Sequence, residues 1–137
     1  MIVGINGINI TGEKRKTLKS LVSLLENKKI KILFSEQLVK SFPNDNFKTY
    51  SLKTISKIDF IISFGGDGTL LKAVTYIRDT EIPILGINTG RLGFISSISA
   101  TQIDEAINDI LKKNYTINER ILLELNTSKK LFSDKNF

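Results

Sequence analysis

Apolar and polar positions alternate along the chain in two rhythms that take turns. "MIVGI" is a short apolar run ending at Gly4 and Gly7, which predicts a first strand and its turn. Between Lys14 and Leu25 the apolar residues Leu18, Leu21, Val22 and Leu25 recur at helical spacing. "IKILF" (30–34) predicts a second strand. Pro43 and "NDN" then mark a turn, and "FKTYSL" predicts a short extended piece. "DFIISF" (59–64) is a continuous apolar run, the mark of a strand buried on both faces. A helix follows, starting near Gly68 or Thr69 and offering Leu70, Val74 and Ile77 to a core. "IPILGI" (82–87) predicts the next buried strand, and Ile103, Ala106, Ile107, Ile110 and Leu111 form one helical stripe.

Strands alternating with helices predict an α/β domain over 1–115, with a largely parallel sheet and flanking helices. From residue 116 the pattern changes. "YTINERILLELNTSKKLF" (115–132) alternates polar and apolar and then meets a turn, which predicts an antiparallel hairpin. A lone hairpin is marginal in water. Residues 116–137 are therefore expected to be the start of a β-rich domain whose remainder lies outside these 137 residues.

Composition narrows the chemistry. The chain has no Cys and no His. Thiolate chemistry and Cys-based zinc sites are excluded, and so is the commonest general base. Acid–base work then falls to a carboxylate, with Lys or Tyr behind it. The net charge of +6 suits an anionic partner such as a nucleotide or polyphosphate, or is a solubility feature. The basic residues are scattered, and no aromatics interleave with them as a single-strand nucleic-acid surface requires. No apolar run reaches the ~18 residues of a membrane helix. The N-terminus lacks a signal-peptide pattern. The expectation is a cytoplasmic protein with neither nucleic-acid nor membrane partners.

Two glycine-rich stretches fall where predicted strands hand over to helices. In such sheets this carboxyl edge is where ligands bind. The first, "SFGGDGTLLKAV" (63–74), surrounds Asp67 with Gly65, Gly66 and Gly68. The glycine pair permits a sharp turn with positive φ and close approach of a ligand to backbone N–H groups. The helix beyond aims its N-terminus at the same spot. The loop lacks the Gly-Lys-Ser/Thr end of a Walker motif, and Leu71 replaces the third glycine of the dinucleotide fingerprint. The structural alternative is a plain strand-to-helix turn with Asp67 as helix cap. The second stretch, "GINTGRLGF" (86–94), supplies Asn88 and Thr89 as neutral hydrogen-bonding groups. Arg91 suits a phosphate, a carboxylate or a loop ion pair. Phe94 either covers a base or packs into the core. The two loops predict one shared cleft.

"GGDGTLL" followed by "PILGINTGRLGF" resembles the NAD kinase family, and "NERILLEL" is similar to that family's entry into its second domain. The GGDG element alone also occurs in diacylglycerol and sphingosine-type lipid kinases, with a related loop in phosphofructokinases. The "GIN-x-GRLGF" continuation separates NAD kinases from these. The resemblance covers about residues 59–126 and fits 1–58 in pattern only. It implies a first domain of the phosphofructokinase/NAD kinase type and a second, all-β domain holding much of the NAD. It implies transfer of the γ-phosphoryl of ATP, or of polyphosphate, to the 2′-hydroxyl of NAD's adenosine ribose, giving NADP, with Mg²⁺ or another divalent cation. A lipid kinase is the alternative. By the same resemblance Asp67 is the general base, and with Gly68 and Lys72 it meets NAD. Gly65 and Gly66 receive the ATP phosphates, and Phe94 lies near the adenosine. Asn88 and Arg91 are further candidates, and no residue is assigned as a metal ligand. The family's Asn-Glu pair is expected shortly after "SDKNF"; Asn118–Glu119 has the letters but precedes that place. The fragment alone is expected to be inactive or very weak, and the full-length protein a homo-oligomer, dimer or tetramer.

Overall fold

A computed structural model of the chain describes residues 1–90, 93–95 and 98–122. Six strands form one sheet: β1 (Ile2–Gly7), β2 (Lys31–Ser35), β3 (Thr49–Tyr50), β4 (Phe60–Gly65), β5 (Ile84–Asn88) and β6 (Ile98–Ser99). Four α-helices connect or flank them: α1 (Gly12–Asn27), α2 (Glu36–Val39), α3 (Asp67–Ile77) and α4 (Ile103–Lys112). The strand order is β3-β2-β1-β4-β5-β6, and every pairing is parallel. The chain winds outward from β1 in one direction and from β4 in the other. The connections leaving these two central strands part between them, opening a crevice at their carboxyl ends where such sheets take nucleotides.

Parallel strands need crossover helices, which cover both faces and make the strands apolar throughout. β4 is buried along its whole length. On one face, Val3, Ile5, Phe60, Ile62, Phe64 and Ile87 pack with Leu18, Leu21 and Leu25 of α1 and with Ile103, Ile107 and Ile110 of α4. Lys28, just past α1, donates to Asn108 Oδ1 at 2.6 Å and ties these two helices together. On the other face, Ile61 packs with Ala73 of α3 and with Tyr50, Ile55, Ile58 and Ile82.

The structure moves several expected boundaries and exposures. α3 begins at Asp67, ahead of the expected Gly68 or Thr69. β5 runs from Ile84 to Asn88, later than the expected 82–87. Only Ala73 of α3 is buried, while Leu70, Val74 and Ile77 are half-buried. Leu111 is exposed, off the buried stripe of its helix. Residues 35–58 hold the one-turn α2, the two-residue β3 within the extended piece expected at "FKTYSL", and a short 3₁₀ turn at Ile55–Lys57.

After α4 the chain carries no strand through residue 122 and is exposed, with the Tyr115 ring set edge-on to Phe60 at 5.9 Å between centroids. The remainder of the predicted hairpin, and with it most of the proposed 116–137 domain start, lies outside the described residues.

Candidate active site

The site is built where β4 ends. Phe64 pairs in register with Gly7 of β1 on one side and Ile87 of β5 on the other. Gly65 is the last residue of β4 and Asp67 the first of α3, so Gly66 is the whole connection between strand and helix. A Cβ on Gly65 would collide with the Thr69 side chain, because the first helical turn folds directly back over the strand end. This close helix–strand approach is the reason glycine is needed at 65. The expected left-handed turn is absent: Gly66 is extended (φ −101°, ψ −169°), and among the described glycines only Gly12 has positive φ. Among the described residues nothing lies within 4 Å of the missing Cβ positions of Gly66 and Gly68. Those two glycines leave room above the helix N-terminus, where backbone N–H groups face a potential anion.

Gly66, and not Asp67, holds the N-cap position. The Asp67 carboxylate reaches across to the second loop. Its Oδ2 accepts from the Phe94 N–H at 2.7 Å and its Oδ1 from the Ile95 N–H at 3.2 Å. The same carboxylate fills the space that a Cβ on Gly93 would need. The second loop is shaped at its start by Asn88, whose Oδ1 accepts from the Gly90 N–H at 2.9 Å, and by the Thr89 N–H, which donates to Gly65 O at 3.3 Å. The two glycine-rich stretches therefore meet through Asp67 and Gly65.

Gly65, Gly66, Asp67 and Gly68 lie together at the head of α3, with Asn88, Gly90, Gly93 and Phe94 across from them. Phe94 is fully exposed, which removes the core-packing alternative. Lys72 is half-buried on α3, and among the described residues no carboxylate lies within ion-pair distance of it. Arg91 falls outside the described residues. An open cleft of about 350 Å³ runs from the first two turns of α1, at Lys14 and Thr17, to Thr89, Gly90 and Ser99. It flanks the loops without including Asp67.

Asn6 and Ser63 are functional candidates that the sequence reading missed. They face each other on β1 and β4 and are wholly buried. Asn6 Nδ2 donates to Thr69 O at 3.1 Å, from beneath the first turn of α3. Asn6 Oδ1 and Ser63 Oγ have no hydrogen-bond partner among the described residues. The available signal was an amide and a hydroxyl inside otherwise apolar strands, where burial is costly without a partner.

The ATP-NAD kinase N-terminal domain model matches residues 6–115. The chain belongs to the NAD kinase family. An NAD kinase of Cytophaga hutchinsonii is 35% identical over 144 residues, covering 100% of this chain and 49% of that protein. One from Flavobacterium psychrophilum is 38% identical over 126 residues, covering 85% and 43%. A Bacteroides fragilis NAD kinase reaches 49% identity over 67 residues, covering 49% of the chain and 23% of that protein. The chain spans about half the length of the curated relatives it matches. The crystal structure of yeast NADH kinase complexed with NADH superposes with a TM-score of 0.67 at 19% identity, over 82% of this chain and 36% of that one. That likeness confirms the fold expected for an NAD kinase N-terminal domain. The comparisons favour the NAD kinase family over the lipid kinases that share the GGDG element.

Proposed function

We propose that this chain carries the catalytic loops of an NAD kinase that transfers the γ-phosphoryl of ATP or polyphosphate to the 2′-hydroxyl of NAD's adenosine ribose. One observation carries the reading: the only acid in either glycine-rich loop, Asp67, stands where the two loops meet, beyond the carboxyl end of β4. A ribose hydroxyl is a weak nucleophile near neutral pH. Asp67 takes its proton as the oxygen bonds to the transferred phosphorus and the bond to the leaving nucleoside diphosphate, or to the shortened polyphosphate, breaks. Backbone N–H groups at Gly66–Gly68 and the α3 dipole favour the donor phosphates, Lys72 contributes positive charge to NAD binding, and Phe94 offers an open face to the adenosine.

Among the described residues no three Cys, His, Asp or Glu side chains gather as a metal cage. This donor set fits Mg²⁺ delivered on the donor phosphates better than a resident ion. When bound, the cation neutralises phosphate charge. A homo-oligomer and a cytoplasmic location complete the proposal. No helix among the described residues is long and apolar enough to cross a membrane.

The test is Asp67→Asn in a full-length protein containing this chain. The substitution lowers kcat by at least ~100-fold, the low end for losing a general base, and leaves the fold intact. Near-normal turnover of NAD would refute the assignment. Phosphate appearing on a diacylglycerol and not on NAD would return the lipid kinase reading.

A further inference from the structure

We propose that the second glycine loop sets the aim of the acid on the first: Gly93 and the backbone amides of Phe94 and Ile95 are positioning elements for the Asp67 carboxylate. This deepens, and rests on, the reading of Asp67 as the general base. A carboxylate on the first residue of a helix ordinarily turns back to the helix's own N–H groups or outward to water. Here consecutive backbone amides take one oxygen each, Phe94 N–H on Oδ2 at 2.7 Å and Ile95 N–H on Oδ1 at 3.2 Å. Two donors on two oxygens fix the plane of the carboxylate as well as its direction.

Gly93 is part of the same device. What is used at 93 is the space left by the missing side chain. A Cβ at 93 would overlap Asp67 Oδ1, Cγ and Oδ2, and any side chain there evicts the carboxylate. The Phe94 ring takes no part, being fully exposed. The loop therefore tolerates substitution at 94, whose amide is used, and refuses it at 93, whose missing side chain is used.

The experiment is amide hydrogen exchange by NMR on the 137-residue chain, read at Phe94 and Ile95, with the buried β4 residues Ile61 and Ile62 as controls. Asp67→Ala speeds exchange at 94 and 95 by at least ~10-fold, as expected for losing a charge-assisted hydrogen bond, and leaves 61 and 62 unchanged. Gly93→Ala does the same and also shifts the ¹³C resonance of the Asp67 carboxyl. Ala in place of Phe94 retains protection at both amides. Equal exchange at 94 and 95 in Asp67→Ala and the parent chain overturns the proposal, and so does a Gly93→Ala chain that keeps both amides protected. Should Gly93→Ala fail to fold, Asp67→Ala and Phe94→Ala still decide. Failure of the base reading is distinguishable: there the amides remain tied to Asp67 while Asp67→Asn in the full-length protein turns over NAD normally.

Discussion

The Asn6 carboxamide donates to the Thr69 carbonyl at 3.1 Å and fastens the first turn of α3 to the floor of the sheet. It sits on β1 opposite Ser63 of β4, and it is wholly buried. Asn6→Asp replaces a donor with a buried anion beside a carbonyl. The expected loss of stability at pH 7 is about 3 kcal/mol or more. Burial raises the pKa of such a carboxyl, so stability returns as pH falls and the group is protonated. Urea unfolding at pH 7 and near pH 4 measures this. An Asn6→Asp chain as stable as its parent at pH 7 would remove Asn6 from the support of the loop.

Tyr50 makes a second prediction about buried polarity. Its hydroxyl has no partner among the described residues, and burial, followed by the neighbouring Tyr76, pushes its pKa well above 10. The folded state thus holds the phenol proton more tightly than the unfolded chain does. Its contribution is fully present below about pH 10 and is lost as pH rises further, at up to about 1.4 kcal/mol per unit. Tyr50→Phe removes the orphan hydroxyl and the associated slope. It is expected to be neutral or stabilising by about 1 kcal/mol. Denaturation curves at pH 8 and 11 for both chains test this; a Phe variant with the parent's alkaline slope would contradict it.

Lys72 has no ion-pair partner to lose among the described residues. Lys72→Ala in the full-length protein therefore leaves stability within about 0.5 kcal/mol, as for surface sites free of special contacts, and raises KM for NAD. An unchanged KM would make it an ordinary solvated helix residue.

Phe94 is the fully exposed aromatic beside the candidate base. Phe94→Ala is expected to leave the melting behaviour of the chain unaltered and to weaken NAD binding in the full-length protein by about 1 kcal/mol or more, the scale of an aromatic contact. Calorimetric titration with NAD measures it, and equal affinity would separate the ring from adenosine recognition.

The sheet and its helices were legible because parallel strands and crossover helices leave strong apolar signatures. "DFIISF" and the Leu18–Leu25 stripe reappear as β4 and α1. Elements held by a neighbour left fainter marks: Thr49–Tyr50 falls inside the extended piece expected at "FKTYSL", whereas Ile98–Ser99, a strand of two residues defined by pairing with β5, was not anticipated. Leu111 fits the helical period of α4 but lies off the face that buries Ile103, Ile107 and Ile110, and is 43% exposed. The two glycine-rich loops and Asp67 were legible as types and spacing. That Asp67 would bond across to residues 94 and 95, and leave the N-cap to Gly66, depends on where β5 returns, which no local pattern encodes. Asn6 and Ser63 were hidden for the opposite reason: single polar residues inside apolar runs look like interruptions until the sheet places them side by side.

The junction at Gly66 carries a mechanical consequence. A strand and a helix separated by one residue form no hinge, since a hinge needs several dihedrals free to share a rotation. Asp67 is therefore coupled rigidly to β4 through the backbone. The acid is thereby a fixed post at the end of the sheet, and residues 93–95 of the second loop are registered against it.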